Sequence, residues 1–362
     1  MKNQNTLYLF AISFVSTIGG FLFGYDTAII SGCNSFLETH FDLTATMLGW
    51  VVSSALLGTI LGCIISGNVT DKYGRKKALL LAASCLTISA FGSMLPPQFL
   101  GNLETPYWIT SSLDTSFIAL VIVRIIGGVG VGITSVVAPI YISELTLPEK
   151  RGKMVSLYQL SITLGILLAF LVDWIVLNQA GENAGMISGS QIGFWDWLFV
   201  EELWRGMFGT EIPIALLFLV LLLFVPESPR WQLVNGMEEK AFSTMVKIGG
   251  TVQAKAQMAE MKAASKVAVK GIKELFKPYL RRPFLIGILL PMFSHLSGIA
   301  AIMYFAPNIL NESIKSVESS FLGAVLVGLV NSIFTFIAIM NIERYGRRKL
   351  LLVGVVGAAL SL

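Results

Sequence analysis

The stretch Gly19-Gly-Phe-Leu-Phe-Gly-Tyr-Asp26-Thr-Ala-Ile-Ile-Ser-Gly32 sets a carboxylate inside a run long enough to cross a bilayer. From residue 7 to residue 32, Asp26 is the only Asp, Glu, Lys, Arg or His. An ionised Asp at the centre of a membrane costs roughly 2.5–3.5 kcal/mol on insertion scales. Asp26 is therefore expected to face a protein interior or a water-filled cavity, and to have a partner. Arg124 supplies one, because it interrupts a second apolar run at 117–142. The two are taken as the functional centre, one residue carrying a proton and the other answering its charge.

The composition agrees with a chain built for lipid. Hydrophobic residues make up 54% and charged residues 13%, against about 25% charged in soluble domains. An all-α integral membrane protein is expected. Apolar runs mark spans near 7–32, 47–69, 78–95, 117–142, 154–177, 207–225, 284–310 and 321–342. A ninth run starts at Lys349 and reaches only Leu362, short of a span at about 1.5 Å per residue. Of the 26 Lys and Arg residues, 23 fall at the N-terminus and in alternate loops. That asymmetry puts the N-terminus in the cytoplasm. It is an orientation signal, so no nucleic-acid partner is expected. Cys33, Cys63 and Cys85 have no metal-ligand spacing, and no metal or cofactor is expected. Trp195, Trp197 and Trp204 suit an interfacial belt on the outer side. The polar stretch 228–282 predicts short cytoplasmic helices at 237–248 and 254–276.

An internal repeat sets the architecture. Asp71-Lys-Tyr-Gly74-Arg75-Lys-Lys follows the second span, and Glu343-Arg-Tyr-Gly346-Arg347-Arg-Lys follows the eighth. A six-span unit followed by a second copy is the parallel repeat of a two-bundle transporter. The domains expected are an N-terminal bundle over 1–225, a linker over 226–283 and a partial C-terminal bundle over 284–362. Pro291, Gly298 and Pro307 predict a broken seventh helix of the kind that lines a binding site. Gly127, Gly128, Gly130 and Gly132 lie inside a span with no strand before them, which excludes a nucleotide loop. Gly128 and Gly132, at small-xxx-small spacing, predict close helix packing.

These residues resemble a known family. The two acid-x-Tyr-Gly-Arg loops are similar to the signature of the major facilitator superfamily. The stretches beginning at Arg124 and at Pro139, with Pro226-Glu-Ser-Pro-Arg230-Trp, resemble its sugar porter branch. Gly24-Tyr-Asp26-Thr-Ala and Gly298-Ile-Ala-Ala-Ile-Met-Tyr304-Phe-Ala-Pro307 look most like bacterial xylose–proton symporters and their hexose relatives. The resemblance implies the two-bundle fold of that superfamily, with the C-terminal bundle truncated in its third helix. It also implies a monomer in the cell inner (plasma) membrane. Its implied activity is uptake of a pentose or hexose driven by protons, without a cofactor, by a protein that is not an enzyme.

The resemblance also assigns residues. Asp26 matches the membrane-embedded acid of proton-coupled members and Arg124 the arginine paired with it. Phe23, Gln159, Tyr304 and Asn331 match positions in the sugar cavity. Arg75, Glu144, Arg151, Glu227, Arg230 and Arg347 match a cytoplasmic charge network that latches the outward-open state. In the seventh span Ser294, His295 and Ala300 replace amides that grip sugar hydroxyls in the family. Ser294 and His295 are kept as substrate-site residues, and His295 in mid-membrane is suited to titrate or to hydrogen-bond a ligand. A passive facilitator and a non-transporting sugar sensor stay open as alternatives at this point.

Overall fold

The computed structural model describes residues 6–95, 115–146, 148–183, 193–265 and 277–361. Eight helical segments among them are long and apolar enough to cross a membrane. The first five are α1 (Thr6–Phe41), α2 (Ala45–Tyr73), α3 (Arg75–Met94), α4 (Thr115–Leu145) and α5 (Pro148–Asn183). After the short α6 (Phe194–Asp196) and a π-helical turn, Trp197–Glu201, the sixth span is built from α7 (Leu203–Gly209) and α8 (Ile212–Phe224). Two helices follow outside the spans, α9 (Pro229–Val234) and α10 (Glu238–Ser265). Gly250, at φ 79°, kinks α10 into two pieces where two short helices are expected; the part of the second expected beyond Ser265 lies outside the described residues.

The seventh span is broken, as its prolines and glycine predict. It comprises α11 (Pro278–Leu296) and α12 (Ile299–Ile314), separated by Gly298 in the left-handed region at φ 85°. The prolines themselves stay inside the helices. α13 (Val317–Tyr345) is the eighth span and α14 (Arg347–Ser361) follows it.

The two copies of the repeat have one backbone solution. Gly74 (φ 95°) ends α2 and Gly346 (φ 80°) ends α13. Each N–H closes its helix, on the carbonyls of Thr70 and Ile342. The next helix starts at the following arginine in both. Side chains rarely adopt this backbone conformation, which accounts for glycine at both positions.

Small residues let the helices of the first bundle approach backbone to backbone. A Cβ at Gly128 would fall on the Ala55 carbonyl, and one at Gly132 on the Thr59 carbonyl. Gly58 and Gly62 of α2 meet the same seam from the other side. Van der Waals contact of this kind holds helices together where lipid gives no hydrophobic drive. Trp204 departs from the expected interfacial belt. It is 2% exposed and packs with Phe41 and Phe208 in the core, while Trp195 is 68% exposed.

Among the described residues, the second bundle touches the first through α12 on α1 and α13 on α5. The Asn34 amide of α1 donates to the Tyr304 carbonyl of α12 (2.8 Å). The Ser332 hydroxyl of α13 donates to the Thr163 carbonyl of α5 (3.0 Å), and Gly328 packs on Leu167 and Phe170. One apolar cluster runs through this junction, joining Ile29 and Phe170 to Met303 and Phe321. α11 has no buried residue.

Candidate transport site

Asp26 and Arg124 meet. Arg124 Nη1 donates to Asp26 Oδ1, and their side chains are 1% and 7% exposed. α1 and α4 set this contact from positions 98 residues apart. The guanidinium also lies 5.3 Å from the centre of the Phe208 ring, a cation–π contact in a place shielded from water. Its Nε and Nη2 have no acceptor in the structure. Arginine has five N–H donors in a fixed fork, so this one keeps donors in reserve for another acceptor.

Two further carboxyls share the interior, and neither was singled out from the sequence. Glu211, between α7 and α8, is 2% exposed, with Oε1 unpartnered, and lies three residues beyond Phe208, whose ring faces Arg124. Asp173 of α5 is 1% exposed, with neither oxygen partnered. The signal that found Asp26, a lone acid in an apolar run, was present for both. Beside them the Tyr25 hydroxyl and the Thr210 hydroxyl are 2.6 Å apart.

Of the expected sugar contacts, one is buried at the junction of the bundles: Tyr304 is 8% exposed, and its carbonyl accepts the Asn34 amide of α1. Phe23 is half-buried against the cluster that fills the other half of the first bundle. Asn331 is half-buried on α13, beside buried Ser332. Gln159 on α5 and Ser294 and His295 on α11 are exposed.

The residues expected in the charge network divide in the same way. Arg75 grips Glu144 with two parallel bonds, Nε to Oε2 and Nη2 to Oε1, both 3.0 Å. The Ser228 hydroxyl donates to the same carboxylate at 2.6 Å. Glu227 accepts from the backbone N–H groups of Arg75 (2.8 Å), Lys76 (3.1 Å) and Ser228 (2.8 Å). It thus caps the start of α3, where unpaired N–H groups favour an anion. A Cβ on Gly74 would collide with this carboxylate, so the glycine is needed for space as well as for φ. Arg151 and Arg230 are exposed and line a cavity of about 300 Å³ beside Glu144 and Glu260. The side chain of Arg347 lies outside the described residues.

Replacing Glu227 by Ala is expected to leave those N–H groups without their acceptor. The cost is about 1–3 kcal/mol for a lost charged acceptor. It should appear as a lower melting temperature of the purified chain, and Glu227→Gln should recover only part of it.

The sequence matches the sugar (and other) transporter family over residues 12–362. It is 36% identical to the putative metabolite transport protein YwtG of Bacillus subtilis, over 100% of this chain and 70% of that protein. It is 35% identical to the D-xylose-proton symporter of Escherichia coli K12, over 99% of this chain and 72% of the relative. Among solved structures, the partially occluded inward open conformation of the E. coli xylose transporter XylE superimposes with a TM-score of 0.77. That match has 35% identity and covers 95% of this chain and 75% of the other.

Proposed function

The chain belongs to the sugar (and other) transporter family of the major facilitator superfamily, and from that we propose that it imports a monosaccharide together with a proton, Asp26 being the proton carrier. The observation that carries this reading is the buried pair of Asp26 and Arg124 at the centre of the first bundle. Buried ion pairs are weak evidence of stability, because desolvation offsets much of their attraction. A switching role gives this one a reason to exist. A proton on Asp26 removes the charge that holds Arg124. The guanidinium then turns its free donors to another acceptor, and Glu211 has an unpartnered oxygen for it. That exchange of partners is the two-state element on which a proton and a sugar can both act.

Tyr304, Gln159, Asn331 and Phe23, with Ser294 and His295 of the broken seventh span, are assigned to the sugar. With amides replaced at 294 and 295, selectivity rests more heavily on Gln159 and Asn331. The distribution of Lys and Arg supports a cytoplasmic N-terminus, and the likeness to bacterial sugar–proton symporters supports the cell inner membrane. The contact of Asn34 with Tyr304 then closes the outer side.

Proteoliposomes holding the full chain test the reading with D-xylose, the sugar for which the E. coli symporter is named. An inside-alkaline pH gradient is expected to accumulate D-xylose above the external concentration, and a protonophore to abolish the accumulation. Uptake that never exceeds equilibrium would select a passive facilitator.

A further inference from the structure

Asp173 is used by nothing so far described, yet among the described acids it alone is buried with neither carboxyl oxygen partnered. Its carboxyl packs on the α1 backbone at Gly32, so closely that a Cβ there would overlap it. Neither oxygen accepts a hydrogen bond. The ionisable groups on the elements packed against α5 offer no salt bridge. Those on described residues include Tyr25, Asp26, Cys33, Glu38 and His40 on α1, Arg124, Tyr141 and Glu144 on α4, Arg205 and then Glu211 at α7, Glu201 and Glu202 in the π-helical turn, where His40 pairs with Glu202, and Glu318, Arg344 and Tyr345 on α13. None of them pairs with Asp173. An ionised carboxylate without donors is not tolerated in such a place, whereas the neutral acid is.

The position of this acid is as informative as its isolation. One turn further along α5, Leu177, Asn178 and Gly181 face Val317 and Glu318 of α13 across a cleft of about 460 Å³. One turn earlier, Phe170 touches Gly328 of α13. Asp173 thus lies just beneath an opening between the two bundles, under a seam whose parting would uncover it.

We propose that Asp173 is a second proton-binding site, separate from Asp26, which exchanges its proton with water in the cleft between α5 and α13 and must be neutral before that end of the protein closes. In the closed state the O–H bond is sealed against Gly32. When α12 and α13 draw away, the carboxyl meets water, gives up its proton to it and holds that end open until a proton returns from the same side. This proton is therefore not carried across. It makes closure sensitive to pH on one side only. Naming that side the outer one, and giving the proton a part in transport, rests on the symport reading above.

Infrared spectroscopy with aspartate-selective ¹³C labelling tests the proton without requiring transport. Asp26 and Asp173 are the two buried aspartates among the described residues. In the labelled Asp26→Asn chain at neutral pH, a protonated-carboxyl band shifted by the label is expected. Its absence overturns the proposal. Its loss on adding sodium ions also overturns it, in favour of a cation site.

Exchange of D-xylose across proteoliposomes tests the function, the native chain being compared with Asp173→Asn. As external pH rises, exchange should fall about tenfold per pH unit beyond the titration of a single required proton. Asp173→Asn should flatten that profile. An unchanged slope would refute the role. Uphill accumulation surviving in Asp26→Asn would remove the symport reading, while the infrared band would still decide the proton on Asp173.

Discussion

Asp26→Asn is expected to abolish uphill accumulation of D-xylose while leaving exchange of internal for external sugar in place. A pH difference of one unit carries about 1.4 kcal/mol per proton, which is a tenfold concentration ratio. The native chain should therefore approach a tenfold accumulation at that gradient, and the variant should reach equality on both sides. Asn keeps the shape and can still accept a bond from Arg124 Nη1. It cannot alternate between charged and neutral, so only the coupling is lost. The comparison of accumulation with exchange in one preparation separates this loss from a damaged fold. A variant that still accumulates sugar would show that another group carries the proton.

Arg124→Leu should be the most destabilising single change at the site. It removes the cation from a carboxylate whose side chain is 7% exposed. Breaking a buried pair from one side costs about 3–5 kcal/mol, because the remaining charge is uncompensated. It also empties the face of Phe208. Thermal melting in detergent should show a large loss for Arg124→Leu. A second change, Asp26→Leu, should recover most of it by removing the stranded carboxylate. If the double variant melts no higher than the single one, the destabilisation comes from lost packing and not from the unpaired acid. The two predictions are linked, since the first needs the charge on Asp26 to matter and the second measures how much.

The parts of this molecule that were legible in the sequence are those where a rare residue meets a costly environment. Asp26 and Arg124 each stood alone in an apolar run, and lipid leaves such residues few places to go. Gly74 and Gly346 were legible as a repeat because the same turn demanded the same glycine twice. Gly298 was legible as a break, and Gly128 and Gly132 as a packing seam. Asp173 and Glu211 carried the same signal as Asp26. Asp173 has no charged partner, and an acid without one leaves no second mark in the sequence. Glu227 was read as one member of a charge network, while its main work is to cap α3, a backbone interaction with no side-chain partner to find. The break at Thr210 and Glu211 left no mark in hydropathy. Trp204 was assigned to the interface by residue type. Its burial depends on Phe41 and Phe208 arriving from other helices, which one stretch of sequence does not reveal.

The central claim is that Asp26 takes up a proton as sugar moves. A pH electrode in a weakly buffered suspension of proteoliposomes measures this directly. Addition of D-xylose should make the medium more alkaline with the native chain, and Asp26→Asn should leave the trace flat while labelled sugar still exchanges. An alkaline shift of equal size in the variant would contradict the account.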